Sequence, residues 1–171
     1  MGKFYITTPI YYVNDVPSLG NAYTTIAADI LARYHRLLGD NTFFLTGLDE
    51  NSQKTIQGAR KAGVENIQEF TDQMAEKWKN AWKALNISYD DFIRTTEERH
   101  KKVVLDFFKK VLVKKEIYKS KYEGFYCEDC EGFVKESELV NGLCPFHNKP
   151  PTRISEENYF FKLSKYQKQL L

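Results

Sequence analysis

A chain of 171 residues, 42 % of them hydrophobic, is long enough to bury a core of its own and short enough for one or two domains. Its formal net charge of +2 does not by itself mark a nucleic-acid surface. No run approaches the roughly 18 apolar residues of a membrane span. Residues 1–20 lack the charged start and apolar stretch of a secretory signal, and three cysteines leave one over from any disulfide framework, so the chain reads as cytoplasmic and reduced, with no membrane partner.

Residues 3–8 (KFYITT) form a short β-rich run that Pro9 is expected to stop. A turn-rich segment with Asn14, Asp15, Pro17, Ser18 and Gly20 follows. From Leu19 the apolar residues Tyr23, Ile26, Ile30, Tyr34, Leu37 and Leu38 recur at helical spacing, and Gly39 supplies a stop. Residues 42–48 (TFFLTGL) are nearly continuous in apolar character and predict a buried strand. A helix over 52–62 is ended by Gly63, and Asn66 can cap another running to about Leu85. Residues 91–95 predict a weak third strand. Thr95 and Glu98 suggest a capping box that opens a helix to about Lys115. Residues 119–125 predict a strand, and 158–168 return to aromatic and helical patterning. Strand alternating with helix implies an α/β fold, a Rossmann-like parallel sheet with right-handed crossovers. The lysines 101, 102, 109, 110, 114, 115, 119 and 121 read first as a solvated helix face and second as an RNA-facing patch.

Cys127 and Cys130 are separated by two residues, and Cys144 and His147 repeat that spacing after a gap of thirteen. Two such pairs can close a tetrahedron around one zinc ion, and four protein ligands make a structural rather than a catalytic site.

Ligands of open parallel sheets bind beyond the carboxyl ends of the strands. Two segments occupy that place, residues 8–21 and residues 47–53. The first delivers Ser18, Gly20 and Asn21 to a helix N-terminus, where free N–H groups and the helix dipole favour phosphate. Ser18 can equally be a plain helix cap. Asp49 in the second can hold an amino group by a charge-assisted bond, or can cap the next helix. Tyr5, Tyr11 and Tyr12 can line a pocket or belong to the core.

The openings TTPIYYVNDVP (7–17) and SLGNAY (18–23), the segments FLTGLDE (44–50) and LNISYD (85–90), the Cys3His knuckle and EENYFF (156–161) together resemble bacterial methionyl-tRNA synthetases over the whole chain. The resemblance implies a class I aminoacyl-tRNA synthetase, a ligase that activates methionine with ATP and Mg and transfers it to tRNA(Met). It implies that Pro9, Ile10 and Tyr12 wall the methionine pocket. Asp49 would hold the methionine ammonium. Ser18, Gly20 and Asn21 would stand in the HIGH motif against ATP, with Ser18 and Asn21 in its catalytic positions. Residues 1–118 would be the first half of the Rossmann-like catalytic domain. Residues 119–171 would be part of the connective insertion, with its zinc knuckle over 126–148.

Two departures qualify that implication. Ser18 stands where the family's motif opens with histidine, and a serine carries no positive charge. Asn51-Ser52 stands where His-Gly is common. The chain reaches Leu171 without the second nucleotide half, the KMSKS loop or an anticodon-binding domain, so the 171 residues alone are expected to be inactive. The rival readings are a non-catalytic zinc-containing module that binds tRNA or protein, and another class I nucleotidyl transferase.

Overall fold

The computed structural model describes residues 2–130 and 132–171. The chain forms two compact units, one ending at Leu105 and one running from Asp106 to Leu171.

The first unit contains β1 (Lys3–Tyr12), α1 (Leu19–Leu37), β2 (Asn41–Asp49), α2 (Gln53–Lys61), α3 (Ile67–Ala84) and β3 (Asp91–Arg94). Its sheet has the order β1-β2-β3, and both pairings are parallel. β1 does not stop at Pro9. It continues to Tyr12 through a register shift between Thr7 and Ile10. Proline has no N–H to give to a ladder, so the strand bulges around it rather than ending. The Thr8 hydroxyl uses the bulge to bond the Pro9 carbonyl at 2.8 Å and the buried Thr46 hydroxyl at 2.7 Å.

α1 packs with a face other than its apolar stripe. The buried residues are Thr25, Ala28, Asp29 and Ala32, small side chains that let the helix lie close to the sheet. Leu19, Tyr23 and Leu37 on the stripe are 90 %, 78 % and 87 % exposed. The buried Asp29 carboxylate accepts bonds from the Ser88 amide (2.7 Å) and hydroxyl (2.5 Å), and from Arg33 Nε (2.7 Å). Arg36 reaches Ser88 and Asp90, while Asp90 accepts the Phe44 amide at 2.6 Å. The segment 85–90 is thus a polar clasp that fastens α1 and β2 to the end of α3. The main core lies on the same side of the sheet as α1, where Tyr11, Val13, Leu48, Phe70, Met74, Trp78, Trp82 and Phe92 pack together with Ala22 of α1 against them.

α4 (Glu98–Val113) spans the boundary between the units. The expected Thr95–Glu98 capping box does not form, because the Thr95 hydroxyl accepts the Glu50 amide instead. In the second unit β4 (Ile117–Cys127) pairs antiparallel with β5 (Gly132–Val134) and with β6 (Thr152–Phe161). Residues 158–161 are therefore strand, and the helical part of 158–168 shrinks to a 3-10 turn over Leu163–Tyr166 and α5 (Gln167–Leu170). The turn between Val140 and Leu143 is made by Asn141 (φ 51) and Gly142 (φ 78), the pair of left-handed residues that a tight type I′ turn needs.

Burial raises the pKa of Asp29, but hydrogen bonds from Ser88 and Arg33 outweigh it and the net is below the ordinary 3.8. A depressed carboxylate adds stability that is present above its unfolded pKa and lost as pH falls through the folded value. Asp29→Asn is expected to lower stability at pH 7 by about 1–3 kcal/mol and to flatten the acid limb below pH 3.8, measured by urea unfolding across pH.

Candidate functional site

The parallel pairing brings the carboxyl ends of the three strands together. Tyr12 at the end of β1 sits in register beside Asp49 at the end of β2, and Leu48 pairs with Arg94 at the end of β3. Gly47 makes the last pairing possible. A Cβ there would lie 2.1 Å from the Ile93 carbonyl oxygen and 2.6 Å from Ile93 Cγ2. Beyond the bulge Ile10 and Tyr12 are partly exposed, while Tyr11 between them is buried, as alternation along a strand demands. Lys54 lies over the Tyr12 ring, its ammonium 5.5 Å from the centroid. Asp49 Oδ1 accepts the Asn51 amide at 3.1 Å. The cap of α2 falls to Ser52, whose hydroxyl accepts the Thr55 amide at 3.1 Å, so Asp49 is not that cap.

Residues 13–18 lead from β1 to α1. Ser18 is the N-cap of α1 and shares a capping box with Asn21. Its amide donates to Asn21 Oδ1 at 2.9 Å, its hydroxyl donates to the same oxygen at 2.7 Å, and it accepts the Asn21 amide at 3.3 Å. Both side chains therefore hold the turn. No acidic residue stands in the first turn, and a Cβ on Gly20 would meet only Ser18 Oγ, at 3.7 Å. The helix start is open to an anion on that side.

Residues that sequence reading missed hold these loops. Trp78 stacks on Tyr11 with centroids 5.1 Å apart and donates its indole N–H to the Asp15 carbonyl at 3.0 Å. Tyr11 shares a hydrogen bond with Thr25 at 2.9 Å and reaches the Asn21 carbonyl at 3.5 Å. Gly58 of α2 lies so close to the loop that a Cβ would sit 2.9 Å from the Asn14 carbonyl oxygen. The only sequence signals were a glycine and a tryptophan at helix positions without charge or motif.

In the second unit Cys127, Cys130, Cys144 and His147 converge, their ligand atoms all within 4.8 Å of one another. Cys130 Sγ is 3.5 Å from Cys144 Sγ and 3.2 Å from His147 Nδ1, and Nδ1 is 3.8 Å from Cys127 Sγ and 3.9 Å from Cys144 Sγ. A tetrahedron with metal–sulfur bonds of about 2.3 Å has edges of roughly 3.8 Å, which these separations approach. Burial, with hydrogen bonding and repulsion from the other two sulfurs, pushes the Cys130 thiol up to about 12. At Cys144 burial also raises the pKa, but the Phe146 and His147 amides aimed at its sulfur lower it below the ordinary 9.0. A divalent cation at the centre would hold all three as thiolates. Donor set and spacing fit a closed metal site.

Gly47→Ala is expected to force β3 away from β2 and to cost about 1–3 kcal/mol or more. Thermal unfolding would measure the loss, and amide shifts confined to residues 44–49 and 91–96 would locate it.

The sequence pattern described as tRNA synthetases class I (M) matches residues 4–153. A methionine–tRNA ligase of Thermotoga maritima is 52 % identical over 99 % of this chain and 27 % of its own length, and one from Fusobacterium nucleatum is 52 % identical with the same coverage. The solved structure of Mycobacterium tuberculosis methionyl-tRNA synthetase in complex with methionyl-adenylate superposes with a TM-score of 0.91 at 38 % identity, over 99 % of this chain and 34 % of that one. The chain thus spans about a quarter to a third of the length of the relatives it matches. With that pattern matching most of its length, the chain belongs to the class I tRNA synthetases of the methionyl (M) family.

Proposed function

We propose that the chain supplies the methionine- and ATP-binding loops of a methionine–tRNA ligase. The observation that carries this is the pairing of Tyr12 with Asp49 at aligned strand ends, in a chain whose 52 % identical relative is such a ligase. In this reading Pro9, Ile10 and Tyr12 wall the methionine side chain, and Asp49 holds the ammonium by a charge-assisted bond. That leaves the methionine carboxylate free to attack the α-phosphorus of Mg-bound ATP. The bond from that phosphorus to the bridging oxygen breaks and pyrophosphate departs. A hydroxyl at the tRNA 3′ end then attacks the carbonyl carbon of the adenylate and AMP leaves. The chain's part is positioning and charge stabilisation. Gly20 and the first-turn amides of α1 face the phosphates, while Ser18 and Asn21 set the turn from which they act.

Residues 1–118 act as the first half of the catalytic domain and 119–171 as part of the connective insertion. The bonding edge of β1 away from β2 and the exposed stripe of α1 are the surfaces that the additional length of the relatives would cover. Cys127, Cys130, Cys144 and His147 hold one structural zinc ion, which crosslinks the knuckle. Among the described residues no helix is long and apolar enough to cross a membrane, and a cytoplasmic location suits the ligase reading.

The test is a chimera in which these residues replace the matching segment of the Thermotoga maritima ligase. The chimera is expected to catalyse methionine-dependent exchange of pyrophosphate into ATP, and Asp49→Asn to abolish it, whereas the 171 residues alone show no useful exchange. A folded, inactive chimera would overturn the ligase reading and favour a non-catalytic zinc module.

The knuckle's small core consists of Cys127, Val134 and Cys144, backed by Cys130 and Leu139, so the ligands are themselves most of it. Chelation is expected to raise hydrogen exchange over residues 119–150 while leaving β1, β2 and β3 protected. Unchanged exchange in the knuckle would contradict the zinc assignment.

A further inference from the structure

Glu50 is the residue next to Asp49, and it points the other way. It is 4 % exposed, with its side chain fully covered. A carboxylate at that depth needs partners for its charge. Arg94 Nε donates to Oε1 at 2.6 Å, Arg94 Nη2 to Oε2 at 3.3 Å, and the Thr96 hydroxyl also bonds Oε2. Arg94 Nη2 reaches Asp72 on α3 at 2.5 Å, so the guanidinium is itself held from a third element. The backbone is tied in the same place. The Glu50 amide donates to the Thr95 hydroxyl at 2.9 Å, and the Thr95 amide donates to the Leu48 carbonyl at 3.2 Å.

These contacts bracket Asp49. The peptide before it and the peptide after it are both fastened to residues 94–96. Its own carboxylate is left to the loop, where it accepts the Asn51 amide. A buried ion pair is a poor way to add stability, since a well-packed apolar pair often does as well. Its directionality is what an apolar pair lacks: the bonds from Arg94 fix both oxygens of one carboxylate in one plane.

We infer that Glu50, Arg94 and Thr95 are positioning residues that hold the Asp49 carboxylate in one orientation for the ammonium of an amino-acid substrate. The inference rests on the reading of Asp49 as the ammonium partner. A buried anchor on one side of a strand-end peptide transmits its rigidity to the next side chain, because the two share that peptide. A misplacement of about 1 Å in such a group can cost on the order of 10²-fold in rate.

The test uses the 171-residue chain in solution, as wild type, Glu50→Gln, Arg94→Lys and the milder Thr95→Val, which removes only the hydroxyl acting as acceptor. NMR scalar couplings report the Asp49 χ1 rotamer, and hydrogen exchange reports the Glu50 amide. The wild type is expected to show one Asp49 rotamer. Glu50→Gln and Thr95→Val are expected to show averaged couplings and about tenfold faster Glu50 exchange, with the central amides of β2 still protected. Arg94→Lys should fall between. A single unchanged rotamer in Thr95→Val and Glu50→Gln, or an averaged one already in the wild type, overturns the inference. Titration with methionine and with its des-amino analogue, 4-(methylthio)butanoic acid, separates this from the underlying assignment. Preference for methionine should fall about tenfold in Asp49→Asn and in Glu50→Gln alike. If Asp49→Asn leaves the preference unchanged, the assignment of Asp49 fails. If Asp49→Asn removes it and Glu50→Gln does not, the positioning role fails.

Discussion

Parallel pairing of β1 with β2 and of β2 with β3 is the constraint on which the first unit depends. Parallel strands cannot be joined by a tight turn, so each connection must climb back across the sheet. α1 makes the first crossing and α2 with α3 the second. Every strand then ends on the same edge, and every loop leaving that edge belongs to the candidate site. Gly47 is the tightest point of this arrangement, since β2 and β3 approach at a distance that admits no side chain there. The site therefore inherits its geometry from backbone packing before any functional side chain is placed.

A second layer turns that edge into a rigid frame. Trp78 ties α3 to the β1–α1 loop, Gly58 lets α2 lie against the same loop, and Asp72 carries α3 through Arg94 to Glu50 beside Asp49. Helices α2 and α3 thus define where both loops sit. The second unit works differently. Its β4, β5 and β6 form an antiparallel ribbon, and the knuckle has a core made largely of its own ligands. Aromatic and aliphatic side chains build the core of the first unit, whereas a Cys3His cluster makes up most of the knuckle's.

The knuckle was legible, because its four residues sit in a local pattern. The knuckle spacing put Cys127, Cys130, Cys144 and His147 together, and they do converge. The alternation of strand and helix led to a parallel sheet, which the first unit has. What failed was long-range. Helical periodicity finds a stripe on α1 but not what the stripe faces, and the sheet takes the small side of that helix. Pro9 signalled a strand end, although a bulge solves the missing N–H at lower cost to the sheet. Thr152–Phe161 showed no clean alternation, and its partner β4 lies some thirty residues earlier, so local pattern could not reveal the strand. The Asn141-Gly142 turn was a readable hairpin signal that went unused. Glu50 and Arg94 look like ordinary surface charges in sequence, and only burial distinguishes them.

The central claim is that the strand-end loops of the first unit receive methionine and ATP. Amide chemical-shift mapping of the chain at millimolar concentrations of methionine, and separately of Mg-ATP, tests it most directly. The account predicts methionine-dependent shifts at residues 9–12 and 48–51 and ATP-dependent shifts at residues 18–22, with the knuckle silent. No shifts at these loops, or shifts confined to residues 119–171, would contradict it.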